Sequence, residues 1–152
     1  MNYLSWVLIT IIIYPTYVIA SKPHLLEASY IKACYKKTIC FNLEHANTVK
    51  KRTKGLMYKR SLKDNQGMIF SWEKKQYISM WMKNTYISLD MIWLNEKFKV
   101  ICTKEDAIPF DTTPITCSQK ANYVIELNAG TIKKHMIKKN KKFKLNVISE
   151  QQ

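Results

Sequence analysis

The residues best suited to chemistry lie in segment 81–85, where the chain reads Trp-Met-Lys-Asn-Thr. This segment combines an aromatic face, a cation, an amide and a hydroxyl. In an extended strand, alternate side chains point to opposite faces, so Trp81 and Lys83 would share one face. We predict a binding groove in which Trp81 stacks on a ring and Lys83 and Asn84 donate hydrogen bonds. The structural alternative places Met82 in the core, with a turn at Asn84 and Thr85.

Arg60, Asp90 and Glu126 are the notable charged residues among apolar neighbours. In an alternating strand each of them could simply face water. If they point into one pocket instead, the carboxylates need partners such as Arg60 or Lys83. Two carboxylates in one pocket could support the general acid–base chemistry of a glycosidase.

No catalytic residue is predicted. The sequence has no Gly-x-Ser-x-Gly motif and no Cys–His pair that disulfides would leave free. Its histidines, His24, His45 and His135, are far apart and follow no ligand spacing, so we predict neither a metal site nor a cofactor. The candidate binding residues are Arg60, Trp81, Lys83, Asn84, Asp90 and Glu126.

Four cysteines, at positions 34, 40, 102 and 117, predict two disulfides, because an even number is typical of small exported domains. Cys34 and Cys40 flank five residues that could form a hairpin, and Cys102 and Cys117 bracket a loop with two prolines. Of the three possible pairings we favour 34–40 with 102–117. A zinc site is the alternative, but no Cys-x-x-Cys pair supports it.

The first twenty residues contain no Lys, Arg, Asp or Glu. They predict a secretory signal peptide, residues 1–20, cleaved after Ala20. A membrane anchor formed by residues 4–19 is the alternative, although the apolar run is short for a span and contains Pro15. We therefore expect export to the periplasm or the medium, with residues 21–152 forming a single domain.

The formal charge is +14, and nearly all the cations are lysines. Such a charge can attract an anionic polymer or a membrane surface, or it can reflect composition alone. Because base-specific reading of DNA favours bidentate arginine contacts, the scarcity of arginine argues against a specific nucleic-acid partner. The cations are densest near the carboxyl end, which could also be an ordinary solvated face. They are Lys133, Lys134, Lys138, Lys139, Lys141, Lys142 and Lys144.

Short apolar or alternating segments separated by turn residues predict a mainly β domain, a sandwich or a barrel. The clearest strands are Leu89–Leu94, 123–127 and Phe143–Val147. A threonine before helically spaced apolar residues predicts a short helix over 48–57, capped by Thr48. A second short helix could follow Gly130.

Several segments occur in a recognisable order: Arg52, 55–57, 67–70, 81–85, 89–90, 123–127 and 129–130. Together they make residues 41–144 resemble the family called domain of unknown function 192. The resemblance implies a jelly-roll-like β fold with small helices, frequent export, and no established activity. Family members usually have Gly where this chain has Asn140, and often Gly at Met136.

We therefore expect an exported, monomeric, non-enzymatic binding or accessory module of the cell envelope, with an unknown ligand or partner protein. The first alternative is a hydrolase that acts on an envelope glycan through Asp90 and Glu126. The second is a peripheral binder of polyanions or anionic lipids through the lysine-rich carboxyl-terminal segment.

Overall fold

The computed structural model describes residue 25 and residues 27–148. The predicted signal peptide or anchor lies outside these residues. Within them, no helix is both long enough and apolar enough to cross a bilayer.

The described residues form nine strands and two short helices. The strands are β1 (Tyr30–Tyr35), β2 (Ile39–Ala46), β3 (Gln66–Gln76), β4 (Ser79–Met80), β5 (Leu89–Leu94), β6 (Val100–Ala107), β7 (Ile115–Thr116), β8 (Ala121–Asn128) and β9 (Phe143–Val147). The helices are α1 (Val49–Lys54) and α2 (Thr131–His135). The prediction of a mainly β fold with one or two short helices is confirmed.

Seven strands form one mixed sheet in the order β6-β5-β8-β3-β2-β1-β9. Its neighbours are antiparallel except for β2 and β3, which are parallel. Just before the edge strands β6 and β9 begin, an isolated bridge joins Lys99 to Lys142. Because the sheet does not close, the fold is sandwich-like rather than a barrel. Strands β4 and β7 form a separate two-stranded sheet.

Apolar side chains cover both faces of the central strands, and every residue of β5 is buried. On one face Phe70, Met91 and Val124 belong to the first core, to which the β4–β7 pair contributes Met80. On the other face Ile69, Ile92 and Ile125 belong to the second core, against which α2 packs Ile132. Consecutive residues of a central strand therefore point into different cores.

Both disulfide pairings that we favoured are present. Cys34 and Cys40 face each other across the β1–β2 hairpin, with Cα atoms 4.0 Å apart. Cys102 of β6 is bonded to Cys117, which follows β7, with Cα atoms 5.9 Å apart. Two disulfides in a small domain are typical of an oxidising, extracellular or periplasmic environment.

Helix α1 has the predicted cap, since the Thr48 hydroxyl accepts a hydrogen bond from the Lys51 backbone N–H at 3.2 Å. The helix is shorter than the predicted 48–57. It ends at Gly55, whose φ of 47° lies in the left-handed region.

Gly67 of β3 lies between Leu127 of β8 and Leu43 of β2. A Cβ atom there would overlap the Glu126 carbonyl oxygen and lie 2.8 Å from Leu127 Cδ2 and 3.1 Å from Leu43 Cδ2. The position therefore requires glycine for steric reasons, independently of backbone dihedral angles.

We predict that Gly67→Ala lowers the free energy of unfolding by about 1–3 kcal/mol, the usual cost of overpacking a core. Denaturant unfolding would measure it. Lys74→Ala, at the exposed end of the same strand, is the control and should change stability by less than about 0.5 kcal/mol. Equal stability of the two variants would contradict the steric requirement.

Candidate functional site

The Trp81 motif lies in a loop after β4. The motif is not an extended strand, because the chain turns here: the Thr85 N–H donates to the Met82 carbonyl. The Met82 N–H donates to the Asp111 carbonyl of a distant loop. Met82 is fully buried, whereas the Trp81 side chain keeps 46% of its surface exposed. Asn84 adopts a φ of 53°, a left-handed conformation that asparagine tolerates.

Trp81 and Lys83 line one open pocket of about 370 Å³, which we call the Trp81 pocket. The Lys83 ammonium lies 5.4 Å from the centre of the Trp81 rings, within cation–π range. This arrangement is consistent with the prediction that Trp81 and Lys83 lie on the same face of the segment. Helix α1 supplies Arg52 and Lys54 to the same pocket, and β3 supplies Trp72.

Arg52 fixes the wall that α1 and β3 build together. Its Nη1 donates to the carbonyls of Asn47 at 2.8 Å and Ser71 at 2.9 Å. Its guanidinium lies 5.2 Å from the centre of the Trp72 rings, which stack on Phe70. Neither Arg52 nor Trp72 was among the candidate residues, although Arg52 is one of the residues that carry the family resemblance.

Glu126 of β8 lines the pocket at its buried end. The residue keeps only 4% of its surface exposed, and its neighbours on the adjacent strands are Met68 and Met91. Among the described residues, no side chain or backbone group forms a hydrogen bond or ion pair with its carboxyl. Burial raises the pKa of Glu126 to about 8. At neutral pH the group is therefore a carboxylic acid, which can both donate and accept a hydrogen bond.

Asp90 lies on the other side of the sheet from Glu126. Met91, not Asp90, is the partner of Glu126 in the β5–β8 register, so the two carboxyl groups point into different cores. Asp90 Oδ2 accepts from the Ile132 N–H at 2.7 Å, and Oδ1 accepts from the Asp106 N–H at 3.0 Å. The idea that Asp90 and Glu126 share one cleft is wrong, because their side chains lie on opposite faces of the sheet. Asp90 instead holds α2 and β6 in place through these two hydrogen bonds.

Arg60 and Asn84 lie outside the lining of the Trp81 pocket. The Arg60 guanidinium is 5.1 Å from the centre of the Tyr86 ring. Asn84 Nδ2 donates to the Tyr58 hydroxyl at 2.9 Å. Of the six candidate residues, the structure therefore brings together Trp81, Lys83 and Glu126 in one pocket.

Among residues 27–148, no three His, Cys, Asp or Glu side chains cluster as metal ligands would. His45 lies in the protein interior, with Nδ1 2.9 Å from the Ala28 carbonyl oxygen and Nε2 2.7 Å from the Ser71 hydroxyl. Desolvation by burial lowers the pKa of His45, which favours the neutral ring.

Residues 32–145 match the family model of domain of unknown function 192, described as "Uncharacterized ACR". The chain belongs to this family. The chain is similar to a solved crystal structure described as a "putative transcription regulator" from Sinorhizobium meliloti 1021. The two sequences are 30% identical and the structures superpose with a TM-score of 0.70, over 78% of this chain and 92% of the other. A protein of unknown function from Novosphingobium aromaticivorans DSM 12444 is also 30% identical, with a TM-score of 0.68 and coverages of 76% and 83%. No curated protein matches the chain.

In this member of the domain of unknown function 192 family, Glu126 makes stability depend on pH. Below about pH 4.5 the carboxyl is protonated in both the folded and the unfolded chain. As the pH rises towards 8, the unfolded chain releases the proton while the folded protein keeps it, so the free energy of unfolding falls. The loss levels off above about pH 8, at about 5 kcal/mol for a shift of this size.

We predict that Glu126→Gln, which cannot ionise, removes this loss. The stability of the variant relative to the wild type should rise between about pH 5 and pH 9, by up to about 5 kcal/mol. Denaturant unfolding across this range measures the difference. Glu73→Gln, at an exposed position, is the control and should follow the wild-type curve. Parallel curves for the wild type and Glu126→Gln would show that the carboxyl ionises normally.

Proposed function

We propose that this protein is an exported, non-enzymatic binding module of the cell envelope and that the Trp81 pocket holds a small ring-containing ligand. The observation that supports this best is the pairing of a half-exposed indole with a buried, unpartnered carboxyl in one open pocket. The uncharged apolar amino-terminal segment and the two disulfides support export.

The walls have the composition of a ligand site. A pocket of about 370 Å³ lies in the range of small-molecule sites, which combine apolar and aromatic walls with a few polar groups. The exposed Trp81 indole offers a flat face for a ring, and Lys83 offers a cation. Met82 is buried beside them and anchors the loop that carries the indole.

Binding is favoured over hydrolysis because the pocket lacks a carboxylate pair. Glu126 supplies the only carboxyl among the described residues that line it. Glycosidases of the usual kind use two carboxyl groups that flank the scissile bond. Asp90, the second candidate, points into the second core and is occupied by two backbone N–H groups.

We predict that a ligand of the Trp81 pocket raises the midpoint of thermal unfolding of the wild type and not that of Trp81→Ala. Tyr77→Ala, which removes another exposed aromatic ring outside the pocket, should keep the shift. A panel of sugars, peptidoglycan fragments, anionic lipids and divalent metals provides the ligands. A shift that survives Trp81→Ala, or no shift with any ring compound, would count against the proposed site.

A second candidate function, binding of an anionic polymer, is supported by a groove along β1 and β9. The pairing of these strands places Lys144 opposite Cys34 and Asn146 opposite Lys32. The groove holds about 730 Å³, and none of the described residues lining it is acidic. Its cations are Lys32, Lys36, Lys37, Lys142 and Lys144. We call it the lysine groove.

The cations of the lysine groove lie on the solvent side of β1 and β9. In β9, Lys144 alternates with Phe143 and Leu145, which pack in or against the second core. Lys144 therefore points away from that core, to a surface that an anionic polymer can contact.

For this second candidate, the double variant Lys142→Gln with Lys144→Gln should bind polyphosphate about tenfold or more weakly, since a lysine near an anionic surface contributes roughly 1 kcal/mol. Lys74→Gln with Lys75→Gln, at the exposed end of β3, removes the same charge and should bind like the wild type. Binding should weaken as salt rises. Equal loss in both double variants would mean that net charge alone is responsible. Binding to phosphatidylglycerol vesicles without binding to polyphosphate would point to a membrane instead.

A further inference from the structure

Glu126 is the residue of the Trp81 pocket that most needs an explanation. Its side chain is almost entirely buried between Met68 and Met91, and no described group satisfies its carboxyl. Burial of a polar group costs free energy when no protein group replaces the water that it loses. A ligand that reaches the buried end of the pocket would supply the missing partner.

The charged groups that face the pocket are all cations. Arg52 and Lys54 come from α1, and Lys83 comes from the loop after β4. The strands on either side of Glu126 place methionines beside it, and none of the three cations forms an ion pair or hydrogen bond with its carboxyl. The pocket therefore combines positive charge with an uncharged acid, an arrangement that favours an anionic ligand.

The remaining walls favour a sugar over a nucleotide. The Trp72 rings contact both Phe70 and the Arg52 guanidinium, whereas the Trp81 indole is 46% exposed and has only the Lys83 ammonium placed over its rings among the described aromatic and cation–π contacts. One exposed indole provides a platform for a single ring face rather than a sandwich for a planar base. Thr53 and Ser79 also line the pocket, and their hydroxyls can exchange hydrogen bonds with ring hydroxyls, whereas the Thr85 hydroxyl already donates to the Lys83 carbonyl.

We propose that the ligand of the Trp81 pocket is an acidic sugar, a pyranose that carries a carboxylate. This inference rests on the proposed function, because it names the chemical class bound at the same site. The ring lies against Trp81, the carboxylate is attracted by Lys83 and the other cations, and a hydroxyl or carbonyl of the sugar forms a hydrogen bond with Glu126.

The protonation of Glu126 then controls binding. The neutral carboxyl donates a hydrogen bond, whereas the ionised group would repel the ligand carboxylate and pair with the cations that attract it. Affinity for an acidic sugar should therefore fall as the pH rises through about 8. Glutamine keeps the shape and an N–H donor without the charge, so Glu126→Gln should remove this pH dependence.

The experiment is calorimetric titration of the full chain with N-acetylmuramate and glucuronate, with N-acetylglucosamine as the neutral comparison. It is run at about pH 6 and about pH 9.5 on the wild type, Glu126→Gln, Glu126→Met and Trp81→Ala. For an acidic sugar, the wild type should lose about tenfold or more in affinity at the higher pH, and Glu126→Gln less than about threefold. Glu126→Met, which removes the hydrogen bond and introduces no charge, should bind weakly at both values.

The outcomes separate this inference from the proposed function. If N-acetylglucosamine binds as tightly as the acidic sugars and Trp81→Ala abolishes binding, the Trp81 pocket is a binding site but the assignment of an acidic sugar as its ligand is wrong. The same conclusion follows if none of the sugars binds but another ring compound does so through Trp81. If the affinity for acidic sugars is independent of pH in the wild type, the role of Glu126 is wrong. If no ring compound binds through Trp81, the proposed function fails and the inference fails with it.

Discussion

The three central strands of the large sheet, β3, β8 and β5, are covered by apolar side chains on both faces. A polar side chain at a buried position of these strands therefore enters one of two cores, where it is largely removed from bulk water. Asp90 and Glu126 show the two outcomes of this constraint. Asp90 receives two backbone N–H groups and becomes a structural anchor, whereas Glu126 receives none and keeps its proton at neutral pH. The pocket has its chemical character because one of these carboxyl groups was left without a partner.

Local features of the fold could be predicted from the sequence. Strands β5 and β9 have the expected bounds because their apolar residues are bordered by clear turn signals. Cys34 and Cys40 face each other because the intervening residues form a tight hairpin. Met136 and Asn140, where the family resemblance implies glycine, adopt φ values of 51° and 71°. Both are left-handed conformations that glycine adopts readily, and this chain accepts them without glycine.

The site was less predictable because it depends on contacts between distant segments. Trp81 and Lys83 were visible as a motif, but the other walls come from α1 and β3, which approach the loop only in the folded chain. The directions in which the Asp90 and Glu126 side chains point could not be predicted from the sequence, for another reason. In a strand buried on both faces the sequence is apolar at nearly every position, so the alternation that normally marks the inner face is lost. Only the register of β5 with β8 shows that the two groups diverge.

The disulfide between Cys102 and Cys117 constrains the position of the Trp81 loop. Cys117 directly follows β7, and β7 is the partner of β4, whose last residue, Met80, precedes Trp81. The covalent link to β6 thus holds the short strand on which the loop is built. A newly made, reduced chain contains every residue of the pocket but lacks this tether. The disulfide therefore constrains the strand pair that carries the Trp81 loop as well as the edge of the large sheet.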